Sequence, residues 1–299
     1  MCSISEGALA IIHIADAPFF VWLYMEEKTK LLSIQPYFVL DVEGFCQRVL
    51  LQNGISHFFS FSNTSDKNIT VPLLVDGCNN IIFEYMNGKV RTHFIGSTLK
   101  PRTFSAKRNS EYFGVRLQPS TSLFIRELSA KETIGEIIIL DDFPSMKTFC
   151  KNMEIQRDFY TRMQTFMQEY SRVIQSGGTK NQQKQLFTQI EKLIIQRRGI
   201  IKISELEELS GYTSRYINRI FENELGLSAK QLCSTVKFQF LLGDLNKGDA
   251  CSLTTLSCNY SFYDQSHFIK AFRDCTGKTP SQYTEEIAQR NYSNCIHNI

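Results

Sequence analysis

The sequence predicts an α+β protein of two domains, an antiparallel β domain followed by an all-α domain with two helix-turn-helix units. The chain has 299 residues, enough for two domains of roughly 100 to 200 residues each. Residues from about 35 to 140 form short aromatic and β-branched segments, which are typical of strands. The C-terminal part carries a duplicated helical pattern.

Five segments of the first half have the composition of strands, because aromatic and β-branched residues favour a pleated backbone. Asn87-Gly88 separates two of them and is the strongest hairpin signal, since a type I′ turn needs positive φ at both central residues. Asp76-Gly77 predicts a second turn. The five segments are His57–Phe61, Ile81–Tyr85, Val90–Ile95, Tyr112–Leu117 and Glu136–Leu140.

After Pro144 the apolar residues recur mostly three or four apart, which predicts one long helix. Its apolar face has two interpretations of equal weight, packing on the β domain or forming a dimer seam. Ser176–Thr179 then indicates a linker, and an amphipathic helix follows from Leu186 to Ile194. The predicted divisions are 1–142, 143–180 and 181–299. The apolar positions of the long helix are Met146, Phe149, Met153, Phe159, Met163, Phe166, Tyr170 and Val173.

The C-terminal part contains an internal repeat of 51 residues. In order along the chain, four residues near Tyr216 have counterparts near His267. Both copies have the layout of a helix-turn-helix, and Leu232 to Leu245 between them indicates a connecting helix. The matching pairs are Ile217 with Phe268, Phe221 with Phe272, Gly226 with Gly277, and Ser228 with Thr279.

In the first copy, Ser204 with Glu207 predicts a capping box. Leu206 and Leu209 supply the apolar face of a short helix that Gly211 ends. Thr213 caps the next helix and Gly226 stops it. Three-and-four spacing buries one face of that helix and exposes the other. The buried positions are Ile217, Ile220 and Phe221, and the exposed positions are Arg215, Asn218, Arg219 and Glu222.

The second copy follows the same plan. Leu253 and Leu256 belong to its first helix, and Ser261–Tyr263 form its turn. Asp264 is the predicted N-cap of the next helix. After Gly277, Thr279-Pro280 starts a closing helix. The buried positions of the second helix are Phe268, Ala271 and Phe272, and the exposed ones are Gln265, Ser266, Ile269, Lys270 and Arg273.

These exposed faces suit double-stranded DNA. An α-helix fits the major groove, where Arg, Asn, Gln and Lys pair with base edges or phosphates. Two such helices on one support read groove segments one turn, roughly 34 Å, apart. Ordinary solvated surfaces are the alternative, and the duplication at fixed spacing makes it the weaker interpretation.

Three C-terminal stretches also carry a family resemblance. They are GYTSRYINRIF at 211–221, FYDQSHFIKAF at 262–272 and TGKTPSQY at 276–283. Over about Ile200 to Ile287, the chain resembles the double helix-turn-helix domain of AraC/XylS-type transcription regulators. The resemblance implies a bacterial, sequence-specific DNA-binding regulator, with RNA polymerase as a partner if it activates. By position it implies base contacts from Arg215, Asn218, Arg219, Gln265, Ser266, Ile269 and Lys270.

Four positions depart from that family pattern. Glu207 and Ser257 stand where the family usually has alanine, and Leu241 replaces an alanine of the connecting helix. Ser261 replaces a turn glycine, and a left-handed backbone there costs more without glycine. These departures concern the rigidity of the second unit more than the fold.

The N-terminal half resembles the β-rich sensor domains of some of these regulators. The resemblance lies chiefly in DGCNNIIF at 76–83 and FGVRL at 113–117. It implies a cupin-like barrel that holds a small effector or supports a homodimer. On this basis 1–142 is a sensor or regulatory domain, 143–180 a helical dimerisation or linker segment, and 181–299 the DNA-binding domain.

Composition limits the other classes of function. The chain is 42% hydrophobic and 21% charged with a net charge of +3, so bulk charge does not indicate a nucleic-acid binder. Nine scattered cysteines without a C-x-x-C motif fit free thiols in a reducing cytoplasm. The apolar stretch Ala8–Met25 contains His13, Asp16 and Pro18 and lacks a basic leader. We interpret it as buried domain structure, not as a signal peptide or membrane span.

An enzyme is not predicted, because the sequence shows no H-x-H pair, no nucleotide-binding glycine loop and no cofactor motif. His57 and His93 are the only histidine pair of the β domain, and satisfied or exposed side chains are the favoured interpretation over a metal site. Cys46 and Cys78 lack the clustered cysteines of a thiolate centre. The alternative functions are a cupin-like metal- or ligand-binding protein and an interaction scaffold.

Overall fold

The computed structural model describes residues 30–119, 121, 125–176, 182–247 and 252–299. The stretch Ala8–Met25, the thiols of Cys2 and Cys251, and all of the predicted linker except Ser176 lie outside the described residues. The strands are β1 (Glu43–Gln52), β2 (Ile55–Asn63), β3 (Ile69–Leu73), β4 (Asn80–Met86), β5 (Lys89–Ile95), β6 (Arg102–Ala106), β7 (Ser110–Leu117), β8 (Ile137–Ile139) and β9 (His297–Asn298).

The strands form two sheets. The larger has the order β8-β5-β4-β7-β2-β1-β9, and β3 pairs with β6 in the smaller. All pairs are antiparallel except β1 with β9, where the C-terminal residues return to the edge of the N-terminal sheet. The predicted antiparallel N-terminal half of an α+β protein is confirmed.

Local sequence determines two of the turns that connect these strands. Asn87 and Gly88 have φ of 53° and 76°, so the β4–β5 hairpin has the positive angles that a type I′ turn requires. At the other predicted turn, Asp76 Oδ1 accepts a hydrogen bond from the backbone N–H of Cys78 at 3.0 Å. This side-chain turn leads the chain into β4.

The helices divide between the two halves of the chain. Four precede residue 177 and the others follow residue 181. They are α1 (Pro36–Leu40), α2 (Ala130–Thr133), α3 (Lys147–Glu154), α4 (Phe159–Ser176), α5 (Gln182–Gln196), α6 (Ile203–Ser210), α7 (Ser214–Leu225), α8 (Ala229–Asn246), α9 (Leu253–Asn259), α10 (Gln265–Thr276) and α11 (Pro280–Gln289), followed by a 3₁₀ turn (Tyr292–Cys295).

The prediction of one long helix after Pro144 is wrong, because residues 155–158 separate α3 from α4. The break lets both helices lie on one face of the large sheet. There Met153, Phe166 and Tyr170 are buried with Phe58 and Phe113. Of the two interpretations of this apolar face, the structure shows packing on the β domain.

On the other face of the large sheet, the buried residues pack with those of β3 and β6 and with helices of the C-terminal half. Phe59 and Phe61 share one buried cluster with Phe238 of α8 and Phe272 of α10. Period-two alternation explains the division, since Phe58 and Phe59 point to opposite faces of β2. The β domain and the helical domain therefore share a core.

A second contact joins the two halves at α2 and α7. A Cβ placed on Gly226, which ends α7 at φ 72°, would lie 2.7 Å from the backbone oxygen of Ala130. Gly226 thus has two reasons to be glycine, the left-handed cap and the close approach of α2. The end of α7 rests on the β domain through this contact.

Candidate nucleic-acid interface and interdomain cavity

The first helix-turn-helix consists of α6 and α7. Gly211 ends α6 in a left-handed conformation with φ 73°. Thr213 then caps α7, where its side chain accepts a hydrogen bond from the N–H of Tyr216 at 3.4 Å. Both features were predicted from the sequence, and together they define the turn between the helices.

Two details of α6 differ from the prediction. The helix begins at Ile203, and Glu205 rather than Glu207 reaches back to the backbone N–H of Lys202 at 2.8 Å. Ser204 is therefore not an N-cap. Leu209 is 62% exposed, because α6 is only two turns long and packs through its other face, where Leu206 is buried.

Glu207 has a different role from the predicted one. Its Oε1 accepts a hydrogen bond from the backbone N–H of Ser214, the first residue of α7. A carboxylate at a helix N-terminus satisfies an unpaired donor and interacts favourably with the helix dipole. The residue that departs from the family pattern thus holds the two helices of the first unit together.

The exposed face of α7 contains two of its three predicted base-contacting residues. Arg215 and Arg219 are exposed, and Ile217, Ile220 and Phe221 are buried on the opposite side. Asn218 is half-buried, and its Oδ1 accepts a hydrogen bond from the N–H of Ala229 at 3.1 Å. Asn218 therefore ties α7 to the start of α8, and its role at DNA stays a prediction.

The second unit consists of α9 and α10. Ser261 has φ 51°, which confirms a left-handed turn residue in place of the family's glycine. Asp264 caps α10 by accepting a hydrogen bond from the N–H of His267 at 2.7 Å. Ser257, buried in α9, donates from Oγ to the backbone oxygen of Asp264 at 3.4 Å. Like Glu207 in the first unit, it contacts the start of the recognition helix from the preceding helix.

The exposed face of α10 contains Gln265, Ser266 and Lys270. Ile269 is partly buried because it packs against the shared core. Only the exposed part of its side chain is available for the predicted contact with a base. Tyr263 lies in the predicted turn, where the sequence alone indicates no role for it. Its side chain is 93% exposed beside the N-cap of α10, and only tertiary placement shows this.

Helix α8 supports both units. Tyr260, at the end of α9, donates from its hydroxyl to Asp244 of α8 at 2.7 Å. Arg198 contacts the same carboxylate at 2.6 Å. At the far side, the Phe238 and Phe272 rings meet edge to face at 5.8 Å. These contacts hold the second unit on α8, and the hydrogen bond between Asn218 and Ala229 joins α7 to the same helix.

A cavity of about 360 Å³ lies between the β domain and the end of α8. Aromatic residues form much of its wall, and Asn246 and Lys247 approach it from the helical domain. The Nδ2 atom of Asn246 is buried without a hydrogen-bond partner among the described residues. The wall of the cavity includes Phe38, Val39, Phe45, Gln47, His57, Phe59, Arg116, Gly243 and Tyr292.

A buried polar network lies beneath this cavity. Arg116 donates from Nε to Asn80 Oδ1 at 2.7 Å and lies 3.7 Å from Asp76 Oδ2. Burial removes His57 from water and holds its pKa well below the usual value, and the positive charge of Arg116 lowers this pKa further. The imidazole is therefore neutral at the cavity wall.

The structure separates the two histidines considered for a metal site. His57 lies on β2 and His93 on β5, with β7 and β4 between them. His57 Nδ1 is 3.1 Å from Ser56 Oγ, and His93 Nε2 is 3.0 Å from Glu84 Oε2. Within the described ranges, no group of three or more His, Cys, Asp or Glu side chains is arranged to hold a metal ion. No described helix has the length and apolar character needed to cross a bilayer.

Two family models match parts of the chain. Residues 207–286 match a helix-turn-helix domain, and residues 48–138 match a domain of unknown function, DUF6597. The first range begins within α6 and extends through α7 and the whole of the second unit. The C-terminal part of the chain therefore matches a helix-turn-helix domain, as its sequence motifs predict.

Known proteins are similar to parts of this chain. The Msm operon regulatory protein of Streptococcus mutans is 27% identical over 108 residues, which span 35% of this chain and 37% of that protein. The crystal structure of ToxT from Vibrio cholerae O395 matches with a TM-score of 0.38 and 14% identity, over 81% of this chain and 95% of that one. Unsaturated fatty acid bound ToxT from strain SCE256 matches with a TM-score of 0.34 and 12% identity, over 80% and 92%.

Proposed function

We propose that this protein is a sequence-specific DNA-binding transcription regulator that reads two successive major-groove segments with α7 and α10. The observation that carries this proposal is the pair of capped helix-turn-helix units held on α8. Each unit presents a polar exposed face, and an α-helix with such a face fits the major groove. The family model that extends from within α6 through the second unit supports the same function.

The proposed base contacts come from the exposed polar residues of the two helices. Arg215 and Arg219 of α7 and Gln265, Ser266 and Lys270 of α10 have the donor groups for base edges. Asn218 retains its Nδ2 donors for DNA, because only its Oδ1 is engaged by Ala229. Ile269 contributes a partly exposed apolar surface suited to a thymine methyl group.

Binding of the purified protein to the DNA upstream of its own gene, measured by fluorescence anisotropy, tests the proposal. We expect Arg219→Ala and Lys270→Ala to weaken binding on the order of tenfold each. The control is Lys151→Ala, which removes an exposed charge from α3 and should leave binding unchanged. Genome-wide mapping of binding sites supplies further operators. Failure to prefer any mapped sequence over random DNA at low salt would contradict the proposal.

We further propose that a small molecule in the interdomain cavity regulates DNA binding. The unpartnered Nδ2 of Asn246 provides a hydrogen bond for an acceptor on a largely apolar ligand. Asn246 is the last residue of α8, and its Oδ1 accepts a hydrogen bond from Tyr283 of α11 at 2.7 Å. A ligand at this point therefore contacts the helix that supports both units.

Native mass spectrometry on protein mixed with a small-molecule extract of its host tests the effector proposal. We expect a bound species of a few hundred daltons at most, since the cavity is at the small end of ligand sites. Val39→Trp, which fills the cavity, should abolish that species and leave the helical domain folded. Equal binding by both proteins would place the ligand elsewhere and contradict the proposal.

A further inference from the structure

An aromatic and guanidinium stack lies on the surface of the first recognition helix. The Tyr212 and Tyr216 rings are stacked at 5.0 Å with an interplanar angle of 19°. The guanidinium carbon of Arg219 lies over the Tyr216 ring, 4.9 Å from its centroid. Tyr216 is half-buried against the core of the first unit, so its ring is anchored, whereas Tyr212 and Arg219 are exposed.

The stack distinguishes Arg219 from its neighbour Arg215. Both side chains are exposed and one helical turn apart. In the described part of the chain, neither forms a hydrogen bond or an ion pair, and only Arg219 contacts a ring. The Tyr216 contact uses the π system and engages no N–H group, so the donors along the edge of the Arg219 guanidinium stay available.

The second unit lacks this arrangement. Fifty-one residues on, His267 occupies the place of Tyr216 and Lys270 the place of Arg219. The His267 ring contacts Phe262 at 5.6 Å, and no ring contact to Lys270 is present among the described residues. Lysine is a flexible point charge, whereas arginine has a planar fork that matches the O6 and N7 acceptors of guanine. The duplicated units therefore differ in how firmly they hold the corresponding cation.

We infer that Tyr216, supported by Tyr212, is a specificity-determining positioning residue that holds Arg219 in place to read a guanine. A guanidinium already held against a ring loses less side-chain freedom on binding than a free one. Arg219 then discriminates better between base pairs, because a guanidinium held in place donates two hydrogen bonds to a base edge only at guanine, to O6 and N7. The inference rests on the proposed DNA-binding function and adds a residue that makes no direct base contact.

A base-substitution series on a mapped operator tests this role. Binding is measured for the wild type and for Tyr216→Phe, Tyr216→Leu and Arg219→Ala at every position of the half-site read by α7. We expect Arg219→Ala to lose selectivity at one G·C pair on the order of tenfold or more. Tyr216→Leu should lose several-fold selectivity at that same pair, and Tyr216→Phe, which retains the ring face, should keep the wild-type profile.

Two further measurements separate positioning from general weakening. The double variant Tyr216→Leu/Arg219→Ala should be no less selective than Arg219→Ala alone, since the tyrosine acts through the arginine. Tyr160→Leu, an exposed tyrosine of α4 outside the DNA-binding domain, should leave the profile unchanged. Melting temperature checks the fold, and Tyr212→Leu serves as the second variant if Tyr216→Leu fails to fold.

The outcomes distinguish this inference from the function on which it rests. If wild-type protein selects an operator and Tyr216→Leu keeps the same base profile, the positioning role is overturned and the proposed function stands. Uniformly weaker binding at every sequence, with unchanged selectivity, overturns it as well. If the wild type prefers no sequence, both are overturned.

Discussion

Gln239 of α8 accepts a hydrogen bond through Oε1 from the backbone N–H of Ile34, at 2.7 Å, although the two residues are 205 positions apart. The same amide donates from Nε2 to the backbone oxygen of Val75 at 2.7 Å. One buried side chain of the helix that supports both helix-turn-helix units therefore pairs with two backbone groups of the N-terminal half. Because α8 contacts the β domain directly, a structural change in the β domain alters the surroundings of this helix.

Replacing Gln239 by leucine should destabilise the whole chain by about 2 kcal/mol, because it leaves a partly buried N–H and a buried carbonyl without partners. Chemical denaturation followed by circular dichroism measures the effect. Gln168→Leu changes an exposed glutamine of α4 and is the control, with an expected change within about 0.5 kcal/mol. Equal stability of the two variants would show that water replaces the lost contacts.

The buried His57 should make the protein less stable in mild acid. Burial, and then Arg116, hold the pKa of His57 well below 6.5 in the folded state. As the pH falls below about 6.5, the unfolded chain takes up a proton there and the folded chain does not, so stability is full above that pH and decreases below it. We expect His57→Gln to remove up to about 1.4 kcal/mol per pH unit of this loss.

Unfolding free energies of both proteins between about pH 8 and pH 5 check this pH dependence. Their curves should run parallel above pH 7 and diverge below pH 6.5, with the wild type falling more steeply. Parallel curves through the whole range would show that His57 gains its proton equally well in the folded protein.

Ser261→Gly should stabilise the second helix-turn-helix unit. The backbone there has φ 51°, which costs a non-glycine residue about 1 to 2 kcal/mol, and the greater freedom of glycine in the unfolded chain offsets part of the gain. We expect a net increase of about 0.5 kcal/mol in unfolding free energy. Ser281→Gly, at an exposed helical position of α11, should instead lower it by a similar amount. A decrease for both would contradict the account of the turn.

Glu207→Ala, which restores the residue usual in the family, should destabilise the first unit by about 1 kcal/mol. The change removes the acceptor for the N–H of Ser214 at the start of α7. Glu207→Gln keeps an acceptor and should retain most of the stability, whereas Glu208→Ala, on the exposed side of α6, should have little effect. Thermal unfolding of the three variants measures the series. No loss in Glu207→Ala would mean that α7 needs no contact from α6 at its first residue.

Elements that depend on neighbouring residues could be predicted from the sequence. Thr213 and Asp264 are N-caps, Gly211 and Gly226 end helices in a left-handed conformation, and Asn87 begins the predicted turn. Each depends on a hydrogen bond or a φ angle within a few residues. The repeat spacing then indicated which helices form pairs.

Features that depend on distant packing could not be predicted in this way. The separation of α3 from α4, the exposure of Leu209 and the contact of Asn218 with Ala229 all follow from which surface another element covers. An apolar residue at helical spacing is compatible with either a covered or an open face. The Tyr216 stack on Arg219 has the same origin, because spacing alone does not select a side-chain rotamer.

The sequence by itself determined the two helix-turn-helix units, the caps of their second helices, their turns and the antiparallel strands, because these rest on local hydrogen bonding and backbone sterics. The tertiary structure alone decided that the two halves share a core and form a cavity between them, and that Gln239 meets Ile34. These relationships join residues far apart in the chain, and no local pattern specifies which apolar faces and which buried polar groups will meet.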